Sequence, residues 1–277
     1  MGRRAMNAKQ RGFTLLELLV IAGLVSFGAL ILVPALARMP GNPKALLCRT
    51  NLKQLTAAWA MYASDHGGTL VASSSGVTGR PNWMTGLIDF SPANTSNYDV
   101  TRDITVSPLA GYLGQRWTLV KCPADLSAVV VGAVKKPRVR SVSMNHAFGQ
   151  GEWLDGAYNP YQTVWRVYGK VAEVMVPART FVFVDEHPQS INDAAFAVNC
   201  TGASQPSTAR IIDFPASYHA DGACGFSFAD GRAETHKWLS NPMKPPVGSS
   251  DPLSLNVASP AAWVDLAWLA QNTTVRR

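Results

Sequence analysis

Apolar residues fall into two different patterns in the first quarter of the chain. From Phe13 to Ala37 they are almost unbroken, and Glu17 is the single charge among 25 residues. A bilayer core takes about 20 apolar residues in a helix, so this stretch is long enough to span one. From Lys44 to about His66 the apolar positions are periodic instead. Ala45, Cys48, Leu52, Leu55, Trp59 and Tyr62 recur at alternating steps of three and four. That period predicts an amphipathic helix with one face on a sheet and Arg49, Lys53 and Gln54 turned outward. Pro40-Gly-Asn-Pro43 separates the two stretches, and Gly67-Gly68 supplies a stop for the second.

The pattern changes again further on. Residues 71–107 are rich in Ser, Thr, Gly, Asn and Pro and read as loops with weak strands. Short β-branched runs follow at 116–122, 128–134, 139–144, 163–168, 180–185 and 210–214. The clearest hairpin is Cys224 to Trp238, turning at Asp230-Gly231, with Phe226 and Phe228 on one face. A Pro- and Ser-rich tail leads to a short helix after Ser259-Pro260, with Trp263, Leu266 and Ala270 on one face. The expectation is an α+β chain: a long membrane-spanning helix, then a helix packed on an antiparallel sheet. Its parts are 1–12, 13–39 and 44–277, the last including helix 44–66.

Charge places the ends of the first segment. Arg3, Arg4, Lys9 and Arg11 precede the apolar run with no acid among them. The positive-inside bias puts the N-terminus in the cytoplasm and the rest of the chain beyond the membrane. Those four residues make up more than half of the formal net charge of +7, so no nucleic-acid partner is expected. Glu17 is the anomaly. A carboxylate in a membrane helix costs roughly 2.5–3.5 kcal/mol at the centre and less near an end. Cleavage after Gly12 would explain it, because it creates an ammonium on Phe13 that needs a counter-ion once apolar helices bundle. Glycine at the cut leaves the backbone open to a protease.

Arg11-Gly-Phe-Thr-Leu-Leu-Glu-Leu-Leu-Val20 resembles the class III signal of type IV pilins and type II secretion pseudopilins. In such a signal the cut lies before the apolar helix, so the helix survives processing. The resemblance implies cleavage by a prepilin peptidase after Gly12, N-methylation of Phe13, and pairing of Glu17 with the Phe13 amine of a neighbouring subunit. It implies a single-pass protein of the inner membrane with a periplasmic domain. The expected role is a structural subunit of a type II secretion pseudopilus, working with other pseudopilins and the inner-membrane assembly platform. A type IV pilus subunit for adhesion or uptake and an uncleaved, membrane-anchored binding or hydrolytic domain are the alternatives.

Downstream segments resemble bacterial pseudopilin-like proteins with a C-terminal His–X9–Asp-Gly motif. They include Cys48-Arg-Thr-Asn-Leu-Lys-Gln-Leu55, Lys121-Cys-Pro-Ala-Asp125, Arg140-Ser-Val-Ser-Met-Asn145 and Thr180 to His187. The motif itself runs from His219 to Asp230-Gly231, with ten intervening residues rather than nine.

Four cysteines allow three pairings, and spacing does not choose among them. Cys48 and Cys122 both lie in family-like segments, and Cys200 and Cys224 flank the strand-rich C-terminal region. The expected bonds are Cys48–Cys122 and Cys200–Cys224. Asp185, Glu186, His187, Asp193, His219, Asp221 and Asp230 form the densest set of candidate ligands. Carboxylates and backbone carbonyls suit calcium, although no EF-hand spacing is present. Strand ends and Asp turns account for the same residues without a metal. His66, His146 and His236 read as surface or turn residues, and the tryptophans as core. No nucleophile elbow and no phosphate loop occurs, so no enzymatic activity is expected.

Overall fold

The structure is a computed structural model that describes residues 15, 17–24, 26, 43–159, 163–219, 221–248 and 251–277. The chain divides into two compact units, Met1–Gly41 and Asn42–Arg277. In the first, the described residues are helical. No helix among the described residues is long and apolar enough to cross a membrane. Gly12, Phe13 and most of the expected membrane segment lie outside the described residues.

The second unit opens with helix α1 (Pro43–Asp65), as the apolar period predicts. Cys48, Leu52, Leu55, Trp59 and Tyr62 are buried, and Arg49 and Lys53 are exposed. Gly67 and Gly68 end the helix at φ +61° and +82°, and the Gly68 N–H closes back on the Ala63 carbonyl at 2.7 Å.

A five-stranded sheet is the centre of the unit. Its strands are β3 (Val142–Asn145), β4 (Phe181–Asp185), β5 (Ala195–Phe196), β7 (Ala223–Phe228) and β8 (Ala233–Lys237), in the order β5-β3-β4-β7-β8. Two small ladders stand apart from it. They pair β1 (Ala128–Val131) with β2 (Val134–Pro137), and β6 (Arg210–Ile211) with β9 (Val257–Ala258). The unit is therefore α+β, but the sheet is mixed rather than wholly antiparallel. After β4 the chain crosses to the far side of β3, so β5 arrives parallel to β3.

Strand β7 is buried along its whole length because it is covered on both faces. Gly225 and Ser227 face α1. A Cβ on Gly225 would lie 2.8 Å from Leu52 Cδ1 and 2.9 Å from Cys48 Sγ, so glycine lets the helix sit close. Thr56 Oγ1 donates to Ser227 Oγ at 2.7 Å in the same contact. Phe226 points the other way, edge-on to Trp268 of helix α3 (Trp263–Gln271) at 5.2 Å. The Asp230-Gly231 turn forms as expected, with Gly231 at φ +85°. Two predicted strands do not form. Residues 117–120 are a 3-10 turn, and 163–168 make only an isolated bridge, Trp165 to Arg276. Ser259 precedes the last helix without making a side-chain cap. A four-residue helix, α2 (Val100–Asp103), lies in the long loop region.

Candidate functional site

Four side chains from four separate segments meet beneath α1. Cys48 is in its second turn, and Gly225 leaves room for its thiol. Cys122 follows the 3-10 turn Trp117–Val120; its N–H donates to Ser141 Oγ at 2.9 Å. Asp185 is the last residue of β4. His219 precedes β7 and exchanges backbone hydrogen bonds with Ala223 at 3.2 and 3.3 Å. One ligand atom from each of the four lies within 4.8 Å of all the others, and all four residues are buried.

The two carboxylate oxygens of Asp185 do different things. Oδ1 accepts hydrogen bonds from Ser141 Oγ and Tyr218 OH, both at 2.7 Å. Oδ2 faces Cys48 Sγ and His219 Nε2, each at 3.9 Å. His219 Nε2 in turn lies 3.3 Å from Cys122 Sγ. Its Nδ1 has no hydrogen-bond partner among the described residues. The Ala124 N–H points at Cys122 Sγ at 3.4 Å.

Burial dominates the electrostatics. It raises Asp185 to about 7, against the lowering effect of hydrogen bonds from Ser141, Cys122 and Tyr218. It also pushes the Cys122 thiol up and the His219 imidazole down. Lys121 feels the Asp185 charge but pairs mainly with Asp125 at 3.4 Å.

The remaining predicted ligands are not part of this cluster. Glu186 accepts from Ser143 at 2.6 Å and Ser190 at 2.7 Å. Burial, together with the charge of Asp213, holds its carboxyl well above the usual range. His187 is buried, and its Nδ1 accepts from the Gln189 N–H at 3.2 Å. Asp193 accepts from the Ala195 N–H at 2.8 Å, at the start of β5. Asp221 is exposed and pairs with Lys237 at 3.2 Å. Asp230 accepts from the Arg232 N–H at 3.0 Å in the hairpin turn. Of the seven residues, only Asp185 and His219 come together, and thiols complete their group in place of carboxylates. His219 and Asp230, the two ends of the His–Asp-Gly motif, therefore have separate partners.

All four cysteines are free thiols. The expected Cys48–Cys122 bond is not formed; both thiols lie in the four-residue cluster. The expected Cys200–Cys224 bond is not formed. Cys200 lies 4.0 Å from the Ala270 carbonyl of α3, whereas Cys224 donates to the Asp185 carbonyl at 3.0 Å. Two histidines also depart from expectation. His146 is buried against Glu152 at 3.0 Å, and His236 stacks on Trp268 with centroids 3.5 Å apart. Sequence reasoning missed Ser141 and Tyr218 as supports for Asp185, although Ser141 lies within the Arg140–Asn145 segment and Tyr218 adjoins His219.

The N-terminal candidates present a different surface. Glu17 is on the helical stretch, whose described apolar side chains Leu15, Leu18, Leu19, Val20, Ile21 and Leu24 are 49–81% exposed. Residues 7–33 match the family model of the prokaryotic N-terminal methylation motif. The match supports a type IV pilin-like or pseudopilin N-terminus associated with the membrane. It implies processing by a prepilin peptidase and assembly with other pilin-like subunits. No curated protein and no solved structure matches the chain.

Proposed function

We propose that the chain is a pseudopilin, a structural subunit of a type II secretion pseudopilus. Prepilin peptidase cuts it after Gly12, and its apolar helix joins those of other subunits to support protein export. The methylation motif at residues 7–33 is the observation that carries this reading, because it couples a processing signal to a retained apolar helix. The exposed leucines of the helical stretch are consistent with it, since an apolar surface of that kind needs lipid or neighbouring helices around it. The anchor is single-pass, with the N-terminus in the cytoplasm and the second unit in the periplasm. The role is structural rather than catalytic. The group of Cys48, Cys122, Asp185 and His219 is buried, which suits a scaffold better than a site that admits substrate.

Glu17 fits a body subunit, since it supplies the acid that answers the Phe13 amine of a neighbour. Deleting the gene in the native host tests the assignment to secretion. Secreted proteins should accumulate in the periplasm while surface pili remain. Loss of surface filaments with normal secretion would instead make the chain a type IV pilus subunit.

A further inference from the structure

We propose that Cys48, Cys122, Asp185 and His219 form a closed structural zinc site that fastens helix α1 to the sheet. This site does not depend on the assembly role. Two sulfurs, one imidazole nitrogen and one carboxylate oxygen are a borderline-soft donor set, which suits zinc and not calcium. Zinc–ligand bonds of about 2.0–2.3 Å place tetrahedral ligand atoms roughly 3.3–3.8 Å apart. Three of the separations here are 3.3, 3.9 and 3.9 Å, and no pair exceeds 4.8 Å. A small inward adjustment would close the tetrahedron.

The surroundings point the same way. Ser141 and Tyr218 occupy Oδ1 of Asp185 and leave Oδ2 directed at the cluster, as outer hydrogen bonds fix a metal-binding carboxylate. The Ala124 N–H meets Cys122 Sγ, a contact that favours a thiolate. His219 is 3% exposed, and the polar neighbours of its ring are the Cys122 thiol and the Asp185 carboxylate. The buried Nε2, set between the Cys122 thiol and the Asp185 carboxylate, is placed to share an ion with the other three side chains. On binding, each thiol gives its proton to solvent and neutral His219 donates through Nε2. Zinc then offsets two of the three negative charges of a carboxylate and two thiolates that the interior would not otherwise hold as anions.

The four ligands come from α1, the 121–125 turn, β4 and the 219–223 turn. One ion would thus join four segments that are far apart in sequence, with no open ligand position for a substrate. The site is a fastening, not a catalytic centre.

The test is metal analysis of the full chain, solubilised from membranes in detergent without chelator or reductant. About one zinc per chain should remain after dialysis. Cys48→Ser and His219→Gln should each lose it, whereas Cys200→Ser should keep it. Ser141→Ala, which leaves the four ligands in place, should weaken retention by about 10–100-fold. Cobalt exchange into the unaltered chain covers the case in which ligand variants do not fold. It should give tetrahedral d–d bands with thiolate-to-cobalt charge transfer. Absence of both zinc and those bands would overturn the proposal. So would a Cys48–Cys122 disulfide in a non-reduced digest, or equal zinc loss from Cys200→Ser.

Discussion

In the N-terminal helical stretch Leu15, Leu18, Leu19 and Leu24 are 60–81% exposed, whereas Leu52 and Leu55 of α1 are 0–1% exposed. The residue type is the same, and the difference lies in what surrounds it. Helix α1 alternates apolar and polar positions at helical period, so one face finds a sheet within its own chain. The N-terminal stretch is apolar along nearly all its length, a pattern that suits lipid or other apolar helices around it. Acids follow the same division. Asp185 is held by Ser141 and Tyr218 inside the second unit. The counter-charge proposed for Glu17 is the Phe13 amine of another subunit. On the proposed reading one region acts between molecules and the other within one, and substitutions should separate the two.

The largest effect is expected at Glu17. Glu17→Ala should leave membrane insertion and processing intact but abolish assembly. Removing one partner of a buried ion pair typically costs roughly 3–5 kcal/mol. Glu17→Asp should be intermediate, because it keeps the charge on a shorter reach. The readout is the subunit recovered in filaments sheared from overexpressing cells. The unfolding midpoint of the second unit should not move.

Gly225→Ala should do the reverse. Its added Cβ meets Leu52 and Cys48, and overpacking of this kind costs about 1–3 kcal/mol. For a unit of this size each kcal/mol lowers the midpoint by about 2–4 °C. Thermal unfolding checks the loss, and the cut after Gly12 should proceed normally. A processing defect in Gly225→Ala, or a midpoint shift in Glu17→Ala, would break the separation between the two regions.

The smallest effect concerns His236, which lies against Trp268 and Trp238 and feels Asp265. Burial depresses its pKa to about 4, with Asp265 raising it only partly. The unfolded chain takes up this proton near pH 6.5 and the folded chain not until about pH 4. This group's contribution is therefore complete above pH 6.5, falls away between 6.5 and 4, and changes no further below 4. His236→Phe keeps an aromatic ring on Trp268 and removes the proton. Its denaturation midpoint should depend less on pH across that window than that of the unaltered chain.

Features carried by neighbouring residues were legible in the sequence. The step of three and four gave α1, Asp230-Gly231 gave the hairpin, and Arg11 to Val20 gave the resemblance to a pilin-type signal, which the motif match at residues 7–33 supports. The run 116–122 was misread because its β-branched residues resemble a strand. Gly114 and Gln115 at φ +58° and +61° turn the chain just before it, and a 3-10 turn forms. The parallel β5 depends on a crossover that no local pattern records. The thiol–carboxylate–imidazole cluster was hidden for the same reason. Its residues span 48 to 219 without a shared spacing, and each had a local reading: core thiol, strand end or turn. Cys48 also falls on the apolar stripe, where a buried thiol looks like any small apolar residue. Cys48, Cys122, Asp185 and His219 all lie in segments marked by the resemblance, and that co-occurrence was the available signal.

The pseudopilin reading requires that a signal is removed while the helix after it is kept. Intact-mass and N-terminal peptide analysis of the chain from native membranes tests it most directly. The account predicts a mature chain beginning at Phe13 with a methylated amine, and no such product from Gly12→Val. A mature chain beginning at Met1, or at any residue beyond Ala37, would contradict it.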